Sequence, residues 1–536
     1  TYNGDITVQS TSTSCDGIYF GRGGGSGILA VAATISIPSG GATNFIGGEL
    51  YFRNFSHLGT VAVTLELAST ATYGYNYDSD WGGDVRFSAP RMYTRGTTYS
   101  GVTSLEKTGG IGDDPSAGGN TFEGNTTLTN SGSRYFLFGN GTLDDFQADL
   151  TIVNSGTGDF YFAHNSVGNK VAGDLHVTNS ASGTSDYVYI NNASASTLDV
   201  TGSVTIINDG TASNNSVYFP NQGSIAVGGD LTGANQSTGD SYIYLSNSSS
   251  SSLSVTGNTS LTNQGTGGTS RMYVGNSGDV TFTGSLELIN SSASTNSEIY
   301  CNNYSSSLGT YNGDITVQST STSCDGILFG YQGGFGTLAA TKTITIPGTD
   351  VDNFTGGQLY FRNFTQTGAT NQSLELGTDA TYIYNYDSNW GGDVDFTAPR
   401  VYTRGTTFSG TTALTKTGSS ADDSRGGNTF DGDAIFTHEG AGRWRQNNDN
   451  SEVTDCNGDV TFVKTGDGEF SPFYNGTSTV TGDVNINSNT DLIFGRANGS
   501  LEFDGTTAQS INDLGSSSYT MIERLIMNNA NDELTI

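Results

Sequence analysis

Gly173-Asp174-Leu175-His176-Val177-Thr178-Asn179 returns as Gly202-Ser203-Val204-Thr205-Ile206-Ile207-Asn208. The phrase comes back at Gly229 to Asn235, Gly257 to Asn263 and Gly284 to Asn290, so the spacings are 29, 27, 28 and 27 residues. The next Gly-Asp, Gly313-Asp314, lies 29 further on. A fixed period of this size marks a solenoid, in which each repeat is one coil stacked on its neighbours.

Each coil reads as three strand-like pieces divided by Ser/Gly/Asn/Asp turns. In the first piece the second and fourth positions after the Gly are mainly apolar, as in Leu150 and Ile152, Leu175 and Val177, Val204 and Ile206. Strand side chains alternate faces, so these pairs point inward and the third position points outward. That third position forms a Thr column: Thr127, Thr151, Thr205, Thr232 and Thr316. The sixth position is Asn in seven coils, at Asn130, Asn154, Asn179, Asn208, Asn235, Asn263 and Asn290, on the inward parity. The second piece reads YFLFGN, FYFAHN, YVYINN, SVYFPN, YIYLSN, RMYVGN and EIYCNN, each ending in Asn: Asn140, Asn165, Asn192, Asn221, Asn247, Asn276 and Asn303. Its second and fourth residues are expected to face the core. The third piece supplies Phe122, Phe146, Val171, Val200, Val227, Val255, Phe282 and Tyr311. Three inward columns closing a triangle predict an all-β fold: a parallel β-helix, or β-solenoid, with three strands per coil. Stacking places identical residues about 4.8 Å apart, so the two Asn columns are expected to form amide ladders. At that rise, and roughly 27 residues per coil, the chain would be an elongated rod on the order of 90–100 Å long.

A longer period overlies the short one. TYNGDITVQSTSTSCDGIYFG at Thr1 returns almost unchanged at Thr310, an offset of 309 residues. The match runs on through YFRNF at Tyr51 and Tyr360, and through YNYDSDWGGDV at Tyr75 and YNYDSNWGGDV at Tyr384. Residues 1–309 thus form one super-repeat, 310–505 a second and incomplete one, and 506–536 an atypical terminal coil or cap containing MIERLIMNN. Gly83, Gly101, Gly124, Ala148 and Gly173 open coils of 18, 23, 24 and 25 residues; residues 4–83 and 313–392 are less regular and are expected to hold several coils with altered turns. The chain opens without Met, part-way through a repeat, and reads as a portion of something longer.

Hydrophobic residues make up 34% of the 536 positions, against roughly 45–50% in ordinary domains. Disorder is excluded by the regular placement of 27 Tyr, 27 Phe and many Val and Ile. A thin solenoid needs few core residues per coil. Twenty basic residues against 52 acidic give a net charge of −32, which repels nucleic-acid phosphates and anionic lipid heads. No run of about 18 apolar residues exists to insert in a membrane. The four cysteines, Cys15, Cys301, Cys324 and Cys456, have neither metal-ligand spacing nor the density of a disulfide scaffold. Cys301 and Cys456 fall on inward positions, while Cys15 and Cys324 are copies of one turn residue. The polar, Lys-poor, Thr/Asn/Gly-rich composition points to an extracellular bacterial surface.

No catalytic motif stands out, so function has to be sought on repeated surfaces. The outward third position of the second piece carries Tyr189, Tyr218, Tyr244, Tyr273 and Tyr300, preceded by Phe162 and Leu137. This amphipathic stripe suits protein contact or sugar stacking, and is weighed against stacking that only stabilises the sheet. Asp78, Asp80 and Asp84, copied as Asp387, Asn389 and Asp393, offer turn oxygens of the kind calcium prefers; no EF-hand loop or nonapeptide repeat accompanies them, and solvated turns compete as an explanation. Asp113-Asp114 and Asp422-Asp423 are further acidic pairs. Polysaccharide lyases and hydrolases also use β-helices, yet nearly every acid here sits at a repeated position. The non-repeated Arg443-Trp444-Arg445 is the best exception. Ice binding by the Thr face is opposed by His176 and Glu287, which interrupt it. His57, His164, His176 and His438 share no motif.

GGNTFEGNTTLTNSGSRYFLFGN from Gly118, GGNTFDGD from Gly426, APRMYTRGTTYSG from Ala89 with SLEKTG after it, and FDGTTAQSI from Phe503 carry a resemblance. They resemble repeats of very long secreted surface proteins of gliding and filamentous bacteria exported by the type IX route, including the grappling-hook filaments of predatory marine members. The resemblance implies an extracellular adhesin or filament; the expected partners are further copies of itself and the glycans or proteins of a target surface, with no cofactor unless calcium binds the aspartate turns. A polysaccharide-active β-helix enzyme, or a glycan-binding module, is the competing expectation.

Overall fold

A parallel stack succeeds when each coil offers its backbone groups, and matching side chains, to the coils on either side. The computed structural model realises that arrangement as an all-β, parallel β-solenoid. It describes residues 1–38, 41–110, 114–211, 213–348, 351–488, 492–494, 498–513, 520–528 and 534–535. The chain forms two compact units, Thr1–Thr283 and Gly284–Ile536. The division falls one coil ahead of the super-repeat boundary at residue 310. In a solenoid each coil touches only its neighbours, so a copied block of sequence is not thereby a structural body.

In the first unit, the coil opened by Gly173 contributes Leu175–Asn179, Asp186–Ile190 and Thr197–Val200 to three faces. Each strand pairs in parallel and in register with its counterparts in the coils before and after. On the first face Leu105, Leu128, Ile152, Val177, Ile206 and Leu261 form one buried column, broken only at Gly233. There the Leu261 side chain takes the vacated space: a Cβ on Gly233 would lie 2.8 Å from its Cδ2. On the third face Tyr99, Phe122 and Phe146 stack with centroids 4.9 and 4.5 Å apart and planes within 3°. The core is a set of such columns, and each fully buried ring or branched side chain contributes about 1.5–3 kcal/mol.

The irregular stretch before Gly83 also holds three-strand coils, for example Glu49–Arg53, Phe55–His57 and Val63–Glu66. Its corners are tighter. Asn54 and Asp78 turn the chain from the second face to the third as single residues with φ of 48° and 47°, a conformation Asn and Asp tolerate well. Asn363 and Asp387 repeat this in the second unit, at 50° and 51°. Aromatic residues fill these shorter coils: Phe52 lies 5.1 Å from both Phe55 and Trp81. The helical pieces among the described residues are the turns Gly41–Asn44 and Val351–Asn353. None of them is long and apolar enough to cross a membrane.

In the second unit the first face runs through Gln372–Glu375, Val394–Ala398, Thr412–Lys416, Ala434–His438, Val460–Lys464 and Val484–Ser488. The described parts of 506–536 continue the three faces rather than departing from them. Ile511 pairs with Val484, Ile522 with Phe494 and Met527 with Phe503. Cys301 and Cys456 are buried, and Cys456 stacks between Phe430 and Val480. The copied turn residues differ: Cys15 is exposed, whereas Cys324 is buried with its Sγ 3.4 Å from the Asn290 carbonyl.

One second-face strand needs a correction. In FYFAHN the expected inward residues are Tyr161 and Ala163, but the strand buries Phe160 and Phe162 and turns Tyr161 outward, while Ala163 is buried as the corner residue. The cause is the corner. In five of the other six coils the left-handed residue immediately precedes the final Asn (Gly139, Asn191, Ser246, Gly275, Asn302), and in SVYFPN Pro220 holds that place; here the left-handed residue is Ala163, two before Asn165. One extra corner residue shifts the strand, and with it every face assignment.

Candidate functional site

The Gly-Asp phrase that punctuates the coils proves to be a side-chain-to-backbone ladder. Asp149 Oδ1 accepts the N–H of Asp174 at 2.9 Å, Asp174 Oδ1 that of Ser203 at 2.7 Å, and Asp230 Oδ1 that of Asn258 at 2.7 Å. The second unit repeats it at Asp433, Asp459 and Asp483, which accept from Asp459, Asp483 and Ser510. Much of the acidity is thus spent on joining successive coils. Asp84 and Asp393 belong to this set, accepting from Val102 and Thr411 at 2.9 Å. Asp78 and Asp387 are corner residues, and Asp78 with Asp80 lines a shallow cleft of about 350 Å3 beside Asn54 and Thr98. The structure does not gather these aspartates into a cation site. Among the described residues there is no group of three or more His, Cys, Asp or Glu placed to hold a metal. Asp113 lies outside the described residues.

The inner Asn column is fully buried from Asn130 to Asn290. Its amides mostly clamp the turn that follows. Asn179 donates to the Asp186 carbonyl at 3.1 Å, Asn208 to that of Asn215 at 3.1 Å, Asn263 to that of Ser270 at 2.8 Å and Asn290 to that of Ser297 at 3.0 Å. Direct amide-to-amide steps link Asn154 to Asn179, Asn208 to Asn235, and Asn235 to Asn263, at 3.2–3.3 Å. At two positions where Asn is replaced another side chain reaches the turn: Lys107 donates to the Gly109 carbonyl at 2.7 Å, and the Nε2 of His438, an imidazole kept neutral by burial, sits 2.7 Å from that of Gly442. The outer column holds the continuous ladder, in which Asn221 donates to Asn192, Asn247 to Asn221 at 2.9 Å, and Asn276 to Asn247 at 3.0 Å. Asn165 is exposed and outside it; the shifted corner puts His164 there instead, 3.3 Å from the Asn192 amide. Asn140 is part-exposed at its corner and Asn303 is buried.

On the outward side of the second face, Tyr161, Tyr189, Tyr218, Tyr244 and Tyr273 stack ring upon ring. Successive centroids are 4.9, 4.8, 4.7 and 4.7 Å apart, with planes within 15°. Phe162 is not part of this stripe, and Leu137 pairs with Tyr161 below it. Tyr300 is only 8% exposed, with its hydroxyl 2.9 Å from Glu298 Oε1, so it is not a surface-contact residue. Burial raises the phenol pKa of Tyr161, Tyr189, Tyr218 and Tyr244, to about 12 at Tyr218, so these hydroxyls stay protonated. Because Tyr189, Tyr218 and Tyr244 are each covered by a ring on both faces, the middle of the stripe presents edges and hydroxyls outward. Such a surface matches another protein better than the flat face of a sugar.

Sequence reading missed two companion columns on the same outward side. Tyr19, Tyr51, Tyr75 and Tyr93 are in register with centroids 5.3–5.9 Å apart, and Tyr360, Tyr384 and Tyr402 with 4.6 and 4.2 Å. Beside them, Arg53 and Arg95 sandwich the Tyr77 ring at 4.8 and 5.3 Å, and Arg362 and Arg404 sandwich Tyr386 at 4.6 and 4.9 Å. Coil lengths of unequal size hid these alignments; the YFR and YTR phrases carry the signal. The Thr column is in register as well, with Thr151 and Thr205 flanking His176.

In the second unit the tyrosine column stops at Tyr402. The following outward positions are Asp423, Arg445 and Ser471, paired in register. Counted from the third-face residues Phe122 and Phe430, Arg445 stands where the first copy has Leu137, and counted from Phe146 and Cys456, Ser471 stands where it has Tyr161. An open cleft of about 590 Å3 results, lined by Tyr402, Asp423, Arg425, Asn448, Asp449 and Asn450. Arg443 grips Asp423 with two hydrogen bonds, at 3.0 and 2.5 Å, and Arg445 pairs with Glu469 at 3.1 Å while lying 3.8 Å over the Tyr474 ring. Trp444 is no surface residue; it is buried and stacked on Phe470 at 5.1 Å. Beneath the cleft Asp422 is buried, and desolvation pushes its pKa up to about 7. No family model matches the chain, and neither does any curated protein or solved structure.

Proposed function

We propose that this chain is a structural segment of a secreted, extracellular adhesive filament of a bacterium, acting in attachment to surfaces or other cells without catalysis. The observation that carries the reading is the stacked tyrosine stripe from Tyr161 to Tyr273, a row of ring edges and hydroxyls repeated at coil spacing. Identical weak contacts at a fixed interval add through multivalency, and a second stripe of the same period is their natural partner. Lateral self-assembly of copies along this face follows. The net charge of −32 keeps single chains soluble and makes the stripe, not the bulk surface, the place of approach. The resemblance to type IX-exported surface proteins, grappling-hook filaments among them, supports the same setting. The experiment is sedimentation velocity with electron microscopy across a concentration series. The reading expects side-by-side assemblies that dissolve when Tyr218 and Tyr244 are replaced by Ser; single particles at every concentration would refute it.

The enzyme alternative finds its one specific support in the non-repeated cleft after Tyr402. Incubation with polysaccharides, followed by assay for reducing ends or unsaturated products, separates it.

A further inference from the structure

We infer that the cleft beyond Tyr402 is a binding site for a neutral saccharide. Four observations converge on it, all within the second unit. Tyr402 is the last ring of its column: Tyr384 covers one face at 4.2 Å and 7°, and the opposite face is left toward the cleft, because the next outward position is Asp423. It is therefore a platform, unlike the tyrosines inside a stack, and a ring face of this kind suits the apolar C–H side of a sugar.

The polar walls are built in advance. Arg443 holds the Asp423 carboxylate with two parallel bonds, and Asp449 is fixed by the Ser451 N–H at 3.1 Å and the Ser451 hydroxyl at 2.8 Å. Other groups are free to serve a ligand: among the described residues, no hydrogen bond or ion pair engages the side chains of Arg425, Asn448 or Asn450. Carboxylates accept from hydroxyls, while amides and a guanidinium donate to hydroxyl and ring oxygens. The volume, about 590 Å3, falls within the roughly 300–1,000 Å3 typical of small-ligand sites.

Charge selects among sugars. Asp423 is neutralised by Arg443, which leaves Asp449 and Arg425 to balance each other. A uronate would meet the Asp449 carboxylate and a divalent cation the Arg425 guanidinium, so neither charge finds an unopposed partner. A neutral, hydroxyl-rich ring meets complementary groups on every side. The first copy does not repeat the set, since Arg443, Arg445 and Ser471 stand where it has Tyr135, Leu137 and Tyr161. One such site per chain becomes many along a filament, so its role in attachment rests on the adhesive reading proposed above; its affinity does not.

The test uses the full chain in calorimetric or NMR titrations with a panel of neutral gluco-, manno- and galacto-oligosaccharides and the corresponding oligouronates. At least one neutral oligosaccharide is expected to bind, with affinity falling tenfold or more in Tyr402→Ala and in Arg425→Ala, and unchanged in Tyr93→Ala, the matching position of the first copy. Asn450→Ala, at a side chain with no hydrogen bond in the fold, guards against misfolding and is expected to weaken binding several-fold. Absence of any neutral ligand, preference for uronates, binding that survives Arg425→Ala and Asn450→Ala together, or release of reducing ends would each overturn the assignment. Sedimentation on the same samples keeps the two readings apart. Loss of the saccharide site with assembly intact sinks this inference alone, and a working site on a chain that never assembles sinks the filament.

Discussion

The carboxylate of Asp174 accepts the backbone N–H of Ser203, one coil further on, at 2.7 Å. The bond satisfies a corner donor that the strand ladders cannot reach, and it is charge-assisted. Asp174→Ala is expected to destabilise the fold by about 1–2 kcal/mol, discounted for the partial exposure of the corner, whereas Asp174→Asn keeps an acceptor and loses less. Chemical denaturation of the three proteins checks the order.

Gly202 stands beside that bond because nothing larger fits. A Cβ there would lie 2.4 Å from Asp174 Oδ1 and 2.5 Å from the Gly173 carbonyl. Gly202→Ala is therefore expected to cost more than Asp174→Ala, and the double substitution less than the sum of the two, since removing the carboxylate relieves part of the clash. A double-mutant cycle in denaturant reads this coupling; strict additivity would show that the glycine serves another purpose.

These two residues also mark how far the sequence could be read. Pairs such as Leu150 and Ile152 announce a buried column by alternation alone, and the three faces follow from them. The role of Asp174 is invisible to such reading, because its partner lies in a different coil and any acceptor at a corner looks like an ordinary turn residue. The register of Phe160 to Phe162 failed for a related reason: a left-handed Ala163 leaves no compositional trace. The cleft after Tyr402 is hidden more deeply. It exists because rings are missing from the next coils, and a site made by absence needs the stack to be seen before it can be noticed.

Burial drives the Asp144 pKa up to about 7 from its ordinary 3.8, against the opposing pull of the Asn120 N–H and amide, which it accepts at 3.0 and 2.8 Å. The folded state then binds more protons than the unfolded state between pH 4 and 7, so the stability this group supplies is complete below pH 4 and is lost as pH rises through 7. Asp144→Asn removes the titration, and the neighbouring Asn120 and Asn169 in the same column show that an amide is accommodated there. The variant is expected to match the native chain near pH 4 and to melt higher at pH 8, by an amount worth at most about 4 kcal/mol. His438 works in the other direction. Burial lowers its pKa to about 4, so its contribution is lost as pH falls from 6.5 toward 4. Melting temperature against pH for both proteins separates the two effects.

Tyr244 is covered on both sides, by Tyr218 and Tyr273 at 4.7 Å each, so its ring serves the fold while its hydroxyl is left for the surface. Tyr244→Phe keeps both ring contacts and Tyr244→Ala removes them. If stacking were the whole purpose of the stripe, Tyr244→Phe would be silent in every assay. The adhesive reading expects a split instead. Tyr244→Ala should destabilise by about 1–3 kcal/mol, two ring pairs at roughly 0.5–1.5 each, whereas Tyr244→Phe should leave unfolding unchanged and weaken side-by-side assembly. Alkaline titration followed at the tyrosinate absorbance gives an independent check on the stack. Its phenols should ionise well above the ordinary value near 10, with Tyr218 at about 12, and Tyr244→Ala, by opening the column to water, should bring the neighbouring phenols down toward 10.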